Sequence, residues 1–155
     1  MIKAFEGNAV DALLNGDIDV LLHCANCQRI MGSGIAKEIA ARFPEAMLVD
    51  LRSPVSPEKR FGSITMGQRQ REDGSYMTVI NLYGQLYPGF PQPRPVHYGA
   101  LAKAMQQASG FARGLRIGIP YKMASDRAGG DWDVVFELIQ FIFAGCDVTI
   151  YKLPQ

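Results

Sequence analysis

The run Asp19-Val20-Leu21-Leu22-His23-Cys24 is almost continuously apolar until its last two residues. A strand with one face in water alternates apolar and polar residues. This one does not, so it has to be covered on both faces, as strands are in a parallel sheet flanked by helices. A glycine-rich turn, Gly32-Ser33-Gly34, follows shortly after. Then Ile35, Ile39 and Phe43 recur every four residues, giving a helix one apolar stripe that Pro44 helps to end or break. Strand, glycine-rich loop and helix in that order commit the chain to the α/β class.

The rest of the sequence repeats the alternation. Segments 61–66 and 76–82 read as strands on either side of the polar turn 71–75, and together predict a hairpin. Tyr87 to Pro95 holds four prolines and predicts a long loop. Tyr98, Leu101, Met105 and Ala108 mark the buried face of a helix, 115–120 a short strand and 122–130 a second loop. Val135, Leu138, Ile139 and Ile142 mark a closing helix that Gly145 ends, before a last strand over 148–152. A length of 155 residues and 48% hydrophobic content suit one domain, 1–155, with a core of its own. Sixteen basic residues against fifteen acidic leave a formal charge of +1, which argues against an extended nucleic-acid surface. No apolar run reaches the roughly 18–20 residues of a membrane span and the first residues do not resemble a signal peptide, so a cytoplasmic location and no membrane partner are expected. Three cysteines, an odd number, predict reduced thiols, with Cys146 in the core.

Chemistry is to be sought in the loops after the second and the penultimate strand. Around Gly32, Ser33, Gly34, Ile35 and Ala36, small residues let a ligand approach the backbone, and the free N–H groups of a helix start favour an anion such as a diphosphate. The same residues can also form a plain tight turn. Neither GxxxxGK followed by Ser or Thr, nor GxGxxG after the first strand, is present, which sets aside a P-loop kinase or an ordinary dehydrogenase. Asn8 can cap the first helix, contact a ligand, or do both. His23 is either satisfied by hydrogen bonds in the core or a proton-transfer group. Cys24 and Cys27 form a CxxC with too few companions for a zinc site. Asp126 and Arg127 are loop charges that either pair with each other or act on a ligand. Asp131 suits the cap of the closing helix and Trp132 the core.

Gly7-Asn8, then His23-Cys24-Ala25-Asn26 running into Met31-Gly32-Ser33-Gly34-Ile35-Ala36, and Gly129-Gly130-Asp131-Trp132 late in the chain, together resemble the macro domain family. With Arg42-Phe43-Pro44-Glu45-Ala46, they look most like its small single-domain ADP-ribose-1''-phosphate phosphatases. The resemblance extends nearly to the C-terminus, through 149–153. It implies a three-layer α/β/α fold around a mixed sheet of about six strands, with ADP-ribose lying across the strand ends. Asn8 would then sit near the adenine and Asn26 near the distal ribose, with Gly32 to Ala36 around the diphosphate. Lys122, Met123, Ala124, Ser125, Asp126 and Arg127 would close from the other side. Relatives are richer in glycine over Met123 to Arg127. Tyr83 and Gln85 would face the cleft, their other role being strand-end packing.

The implied activity is release of phosphate from ADP-ribose-1''-phosphate without metal or cofactor, with His23 moving a proton and Asp126 orienting water. Two rivals need the same cleft. One is hydrolysis of ADP-ribose from a modified protein or nucleic acid, which one branch performs with a lysine where Gln85 stands here. The other is a reader that binds ADP-ribose, free or attached to a macromolecule, without turnover.

Overall fold

The computed structural model describes residues 2–32, 34–88, 95–126 and 128–154. Its elements run β1 (Ile2–Glu6), α1 (Ala9–Asn15), β2 (Val20–Asn26), α2 (Gly34–Arg42), α3 (Pro44–Arg52), α4 (Pro57–Arg60), β3 (Ile64–Gln70), β4 (Tyr76–Gln85), α5 (Tyr98–Ala112), β5 (Arg116–Pro120), α6 (Trp132–Ile142) and β6 (Asp147–Lys152). Their six strands form one mixed sheet in the order β1-β6-β5-β2-β4-β3, in which only β3 runs antiparallel, against β4. The expected α/β/α fold is therefore observed. β2 is buried on both faces, as its unbroken apolar run requires.

One core, containing Leu22, Ile80, Leu82, Leu101, Met105, Ile117, Val135 and Ile139, fills the space between the sheet and α5 and α6. A second, with Leu13, Leu21, Ile39, Phe43, Ala46 and Val79, lies on the other face beneath α1, α2 and α3. Alternation along the strands assigns the faces: Leu22 and Ile80 look one way, Leu21 and Val79 the other. α5 places Leu101, Ala104, Met105, Ala108 and Ala112 on one stripe. The three alanines among them let it lie close over β4.

Pro44 does end α2, but it also opens α3, where a missing N–H costs nothing. α3 is fastened to the sheet at three points. Gly67 of β3 brings its backbone so near α3 that a Cβ there would stand 2.5 Å from the Ala46 nitrogen. Asn81 donates from Nδ2 to the Ala46 carbonyl at 3.0 Å, and Arg69 grips Glu45 with two bonds of 2.6 and 2.7 Å. Asp131 caps α6 by accepting from the Asp133 N–H, Cys146 is buried, and Gly145 turns the chain through a left-handed φ of 81°. Trp132 is only half-buried, its ring set edge-on to Tyr121.

Candidate functional site

All five parallel strands end at the same edge of the sheet, and along that edge lies a cleft of about 1020 Å³. Gly7 and Asn8 follow β1, Lys152 and Leu153 close β6, Pro120 and Tyr121 close β5, and Asn26 and Gln85 end β2 and β4; all line it. A ligand lying there spans the sheet from β1 towards β4. Strand carboxyl ends are the expected binding edge of an open α/β sheet. The two loops singled out from the sequence form the long walls: Gly32, Gly34, Ile35 and Ala36 on one side, Lys122, Met123, Ala124 and Asp126 on the other. Ser33 and Arg127 lie outside the described residues, as does the stretch 89–94 of the proline-rich loop.

Without glycine over Met123 to Asp126, the second loop still makes the turns that glycine would ease. Lys122 and Ala124 both adopt left-handed backbone, with φ of 60° and 63°. Each conformation costs a side-chain-bearing residue on the order of 1–2 kcal/mol. The loop is held by its own backbone: Ser125 N–H donates to the Lys122 carbonyl at 2.9 Å and Gly130 N–H to the Ala124 carbonyl at 2.9 Å. Gly130 is needed because a Cβ there would sit 2.5 Å from that same carbonyl oxygen. Ser125 turns its hydroxyl back to the Met123 carbonyl and is not among the residues that line the cleft. Asp126 is exposed on the rim.

His23 lies fully buried in the floor, on the sheet face that carries α3. Its Nε2 is 2.6 Å from the Asn81 Oδ1 on the neighbouring strand. The Asn81 amide nitrogen is committed to the Ala46 carbonyl and to Thr65 Oγ1, each at 3.0 Å, so its oxygen faces the imidazole and Nε2 carries the proton. Nδ1 is then a lone-pair acceptor, buried and without a partner among the described residues. Burial pushes the His23 pKa down to about 4, with the Asn81 bond opposing it, so the ring is neutral near pH 7.

From Asn81 the donors continue in one direction. Thr65 Oγ1 lies 2.8 Å from the Tyr83 hydroxyl, which donates to Asp50 Oδ1 at 2.6 Å. The sequence of donation is thus His23, Asn81, Thr65, Tyr83, with the Asp50 carboxylate as terminal acceptor. Asp50 is 1% exposed, yet it lines the cleft. Burial raises its pKa, while the Tyr83 bond and the charges of Arg60 and Arg29 pull the other way.

Tyr83 itself does not reach the cleft. It is fully buried against Ala25 and Cys27, and serves the site only through its hydroxyl. Gln85 does line the cleft. Asn8 caps α1 by accepting from the Asp11 N–H at 2.9 Å and donates to Glu38 Oε2 at 2.9 Å, which fixes its side chain at the rim. Asn26 spends its amide on the loop that follows, donating to the Ile30 carbonyl at 2.8 Å and accepting from the Gln28 N–H at 3.0 Å. The thiols of Cys24 and Cys27 are pushed up to about 12 and about 11, chiefly by burial, which makes them poor nucleophiles and metal ligands. Among the described residues no group of His, Cys, Asp and Glu is arranged to hold a metal, and no helix is long and apolar enough to cross a membrane.

Sequence reasoning missed Asp50 because it missed α3. Its signal was a carboxylate one turn after Ala46, on the buried stripe of an amphipathic segment. Asn81 carried a similar signal, as a polar residue inside the apolar run of β4.

No family model matches the sequence. The uncharacterized 17.5 kDa protein of the tk-vs intergenic region of Enterobacteria phage T4 is 26% identical over 155 residues, covering 97% of this chain and 95% of that one. Among solved structures, the macrodomain of Mycobacterium tuberculosis DarG superposes with a TM-score of 0.74 at 21% identity, over 100% of this chain and 98% of that one. Thermosipho africanus DarTG in complex with ADP-ribose superposes with a TM-score of 0.75 at 17% identity, over 99% of this chain and 41% of that one.

Proposed function

We propose that this chain, which has the macrodomain fold, binds ADP-ribose along its cleft and hydrolyses the phosphate of ADP-ribose-1''-phosphate. The carrying observation is the cleft itself: about 1020 Å³, laid over the carboxyl ends of five parallel strands, between a helix-start turn and a loop braced by its own backbone. Its length suits a ligand with a base at one end, a sugar at the other and a diphosphate between. The ADP-ribose bound by the Thermosipho africanus protein, 41% of which superposes on this chain, supports this choice of ligand. Asn8 and Gly7 take the adenine end, the first turn of α2 faces the diphosphate with its free N–H groups, and Asn26 and Gln85 take the distal end.

In the hydrolysis, water attacks phosphorus and the bond from phosphorus to the 1'' oxygen breaks. His23 moves a proton at the leaving 1'' oxygen: its Nδ1 lone pair, free because Nε2–H is committed to Asn81, receives the proton of the attacking water by way of the cleft solvent and returns it to that oxygen, so the ring ends as it began. Asp126, on the opposing loop, orients the water. An amide at Gln85 cannot serve as an amine nucleophile, which disfavours the lysine-dependent removal of ADP-ribose from macromolecules.

The test incubates the protein with ADP-ribose-1''-phosphate and assays released phosphate, for wild type and for the His23→Ala, Asp126→Ala double variant. The expected result is release by the wild type and a loss of about 10²–10⁴-fold in the variant. Full activity in the variant removes both residues from the mechanism. Binding of ADP-ribose with no release by the wild type turns the assignment to a reader.

A further inference from the structure

We propose that Asp50 is the residue that selects the distal ribose, accepting hydrogen bonds from its hydroxyls with the carboxylate oxygen that no described residue engages. The inference rests on the ADP-ribose reading of the cleft and adds to it the group that tells ADP-ribose from shorter adenine nucleotides.

Asp50 lies at one end of the cleft, with Asn26, Gln85 and His23, whereas Asn8 and Leu153 mark the other. It is 1% exposed, so its carboxylate has lost nearly all contact with bulk water. One oxygen is satisfied by the Tyr83 hydroxyl, and among the described residues no donor meets the second. A buried carboxylate has four acceptor sites and no donor, so leaving an oxygen bare is costly. The two nearby cations do not fill the gap. Arg60 donates from Nη1 and Nη2 to the carbonyls of Val55 and Cys27, its Nε–H makes no hydrogen bond among the described residues, to Asp50 or to any other group, and Arg29 donates to the Ser53 carbonyl. They supply positive field without direct contact, which opposes the upward push of burial on the Asp50 pKa while leaving the carboxylate free to accept.

The carboxylate is also held still. Tyr83 is fixed by Thr65, Thr65 by Asn81, and Asn81 by both His23 and the backbone of α3. A fixed, dry, acceptor-only group suits a ligand that brings donors and no charge, which describes the hydroxyls of a sugar. The distal end therefore gives ADP-ribose a contact that ADP, which ends at its diphosphate, has no group to make.

The experiment titrates ADP-ribose and ADP by calorimetry into wild type, Asp50→Asn and Tyr83→Phe. Asparagine keeps the shape and can still accept from Tyr83, but turns an NH₂ donor towards the cleft. The expected result is a loss of about tenfold or more in ADP-ribose affinity for Asp50→Asn, with ADP affinity within about twofold of wild type. Tyr83→Phe, which leaves the carboxylate present but less firmly held, is expected to lose about threefold for ADP-ribose and nothing for ADP. Unchanged ADP-ribose affinity in Asp50→Asn overturns the assignment. So does an equal loss for both ligands in both variants, which marks a purely structural role. A wild type that binds ADP but discriminates against ADP-ribose, or binds neither, overturns the ligand reading itself.

Discussion

Replacing Tyr83 by Phe removes one hydroxyl from the middle of the buried donor chain and leaves the ring packing in place. The hydroxyl donates to Asp50 at 2.6 Å and meets Thr65 at 2.8 Å. Its loss leaves a carboxylate that is 1% exposed without a donor among the described residues. A hydrogen bond to a charged group contributes about 1.5–3 kcal/mol, so a loss of about 2 kcal/mol at pH 7.5 is expected. For a chain of this length that lowers Tm by roughly 4–8 °C. The pH dependence is the sharper part. Because burial raises the pKa of Asp50 in the folded state, the folded protein binds the proton more readily than the unfolded chain. Stability therefore falls as pH rises from the ordinary carboxylate value, near 3.9, through the raised one. The Tyr83 bond opposes that rise, so removing it widens the window and deepens the loss above it. At pH 3, below the ordinary carboxylate value as well as the raised one, folded Asp50 holds its proton and only a neutral hydrogen bond is lost, worth about 1 kcal/mol. Urea unfolding of both proteins at pH 7.5 and pH 3 measures the two penalties. A penalty that is equal at both values, or larger at pH 3, refutes the placement of an ionised Asp50 at the end of the chain.

Other consequences are as direct. Gly67→Ala pushes a Cβ to 2.5 Å from the backbone of α3, so destabilisation at the upper end of roughly 1–3 kcal/mol is expected in thermal unfolding. With α3 displaced, Asp50 moves too, and ADP-ribose affinity should fall alongside. His23, with its pKa lowered to about 4, binds fewer protons folded than unfolded between that value and about 6.5. Wild-type stability should therefore decline by up to about 1.4 kcal/mol per unit as pH falls through this window, and His23→Gln should lack that part of the slope on denaturant titration. Ala124→Gly relieves a left-handed φ of 63° and should raise stability by about 0.5–1 kcal/mol, read as a higher Tm.

The fold was legible where one residue pattern admitted one solution. The apolar run at 19–24 demanded a doubly covered strand, the glycine turn and four-residue spacing after it demanded a helix, and the structure has both. The hairpin was placed correctly, but its first strand begins at Ile64 rather than Phe61, and both strands run further, to Gln70 and Gln85, because backbone pairing continues past the apolar residues that mark it. α3 was hidden behind Pro44, which signals a stop when read forwards and a start when read from the next helix. The site was legible at its walls and opaque in its floor. Glycine-rich turns announce themselves, whereas the chain from His23 to Asp50 is assembled from four separate elements whose adjacency only the sheet order reveals. Tyr83 shows the same limit. Its position at a strand end was read correctly, but which face it occupies depends on the register of β4 against β2.

The most direct measurement is a calorimetric titration of ADP-ribose into the purified protein. Saturable binding at one site per chain, abolished or weakened about tenfold by Asp50→Asn with the fold intact by circular dichroism, is the predicted result. Absence of any heat of binding from a folded wild-type protein contradicts the account.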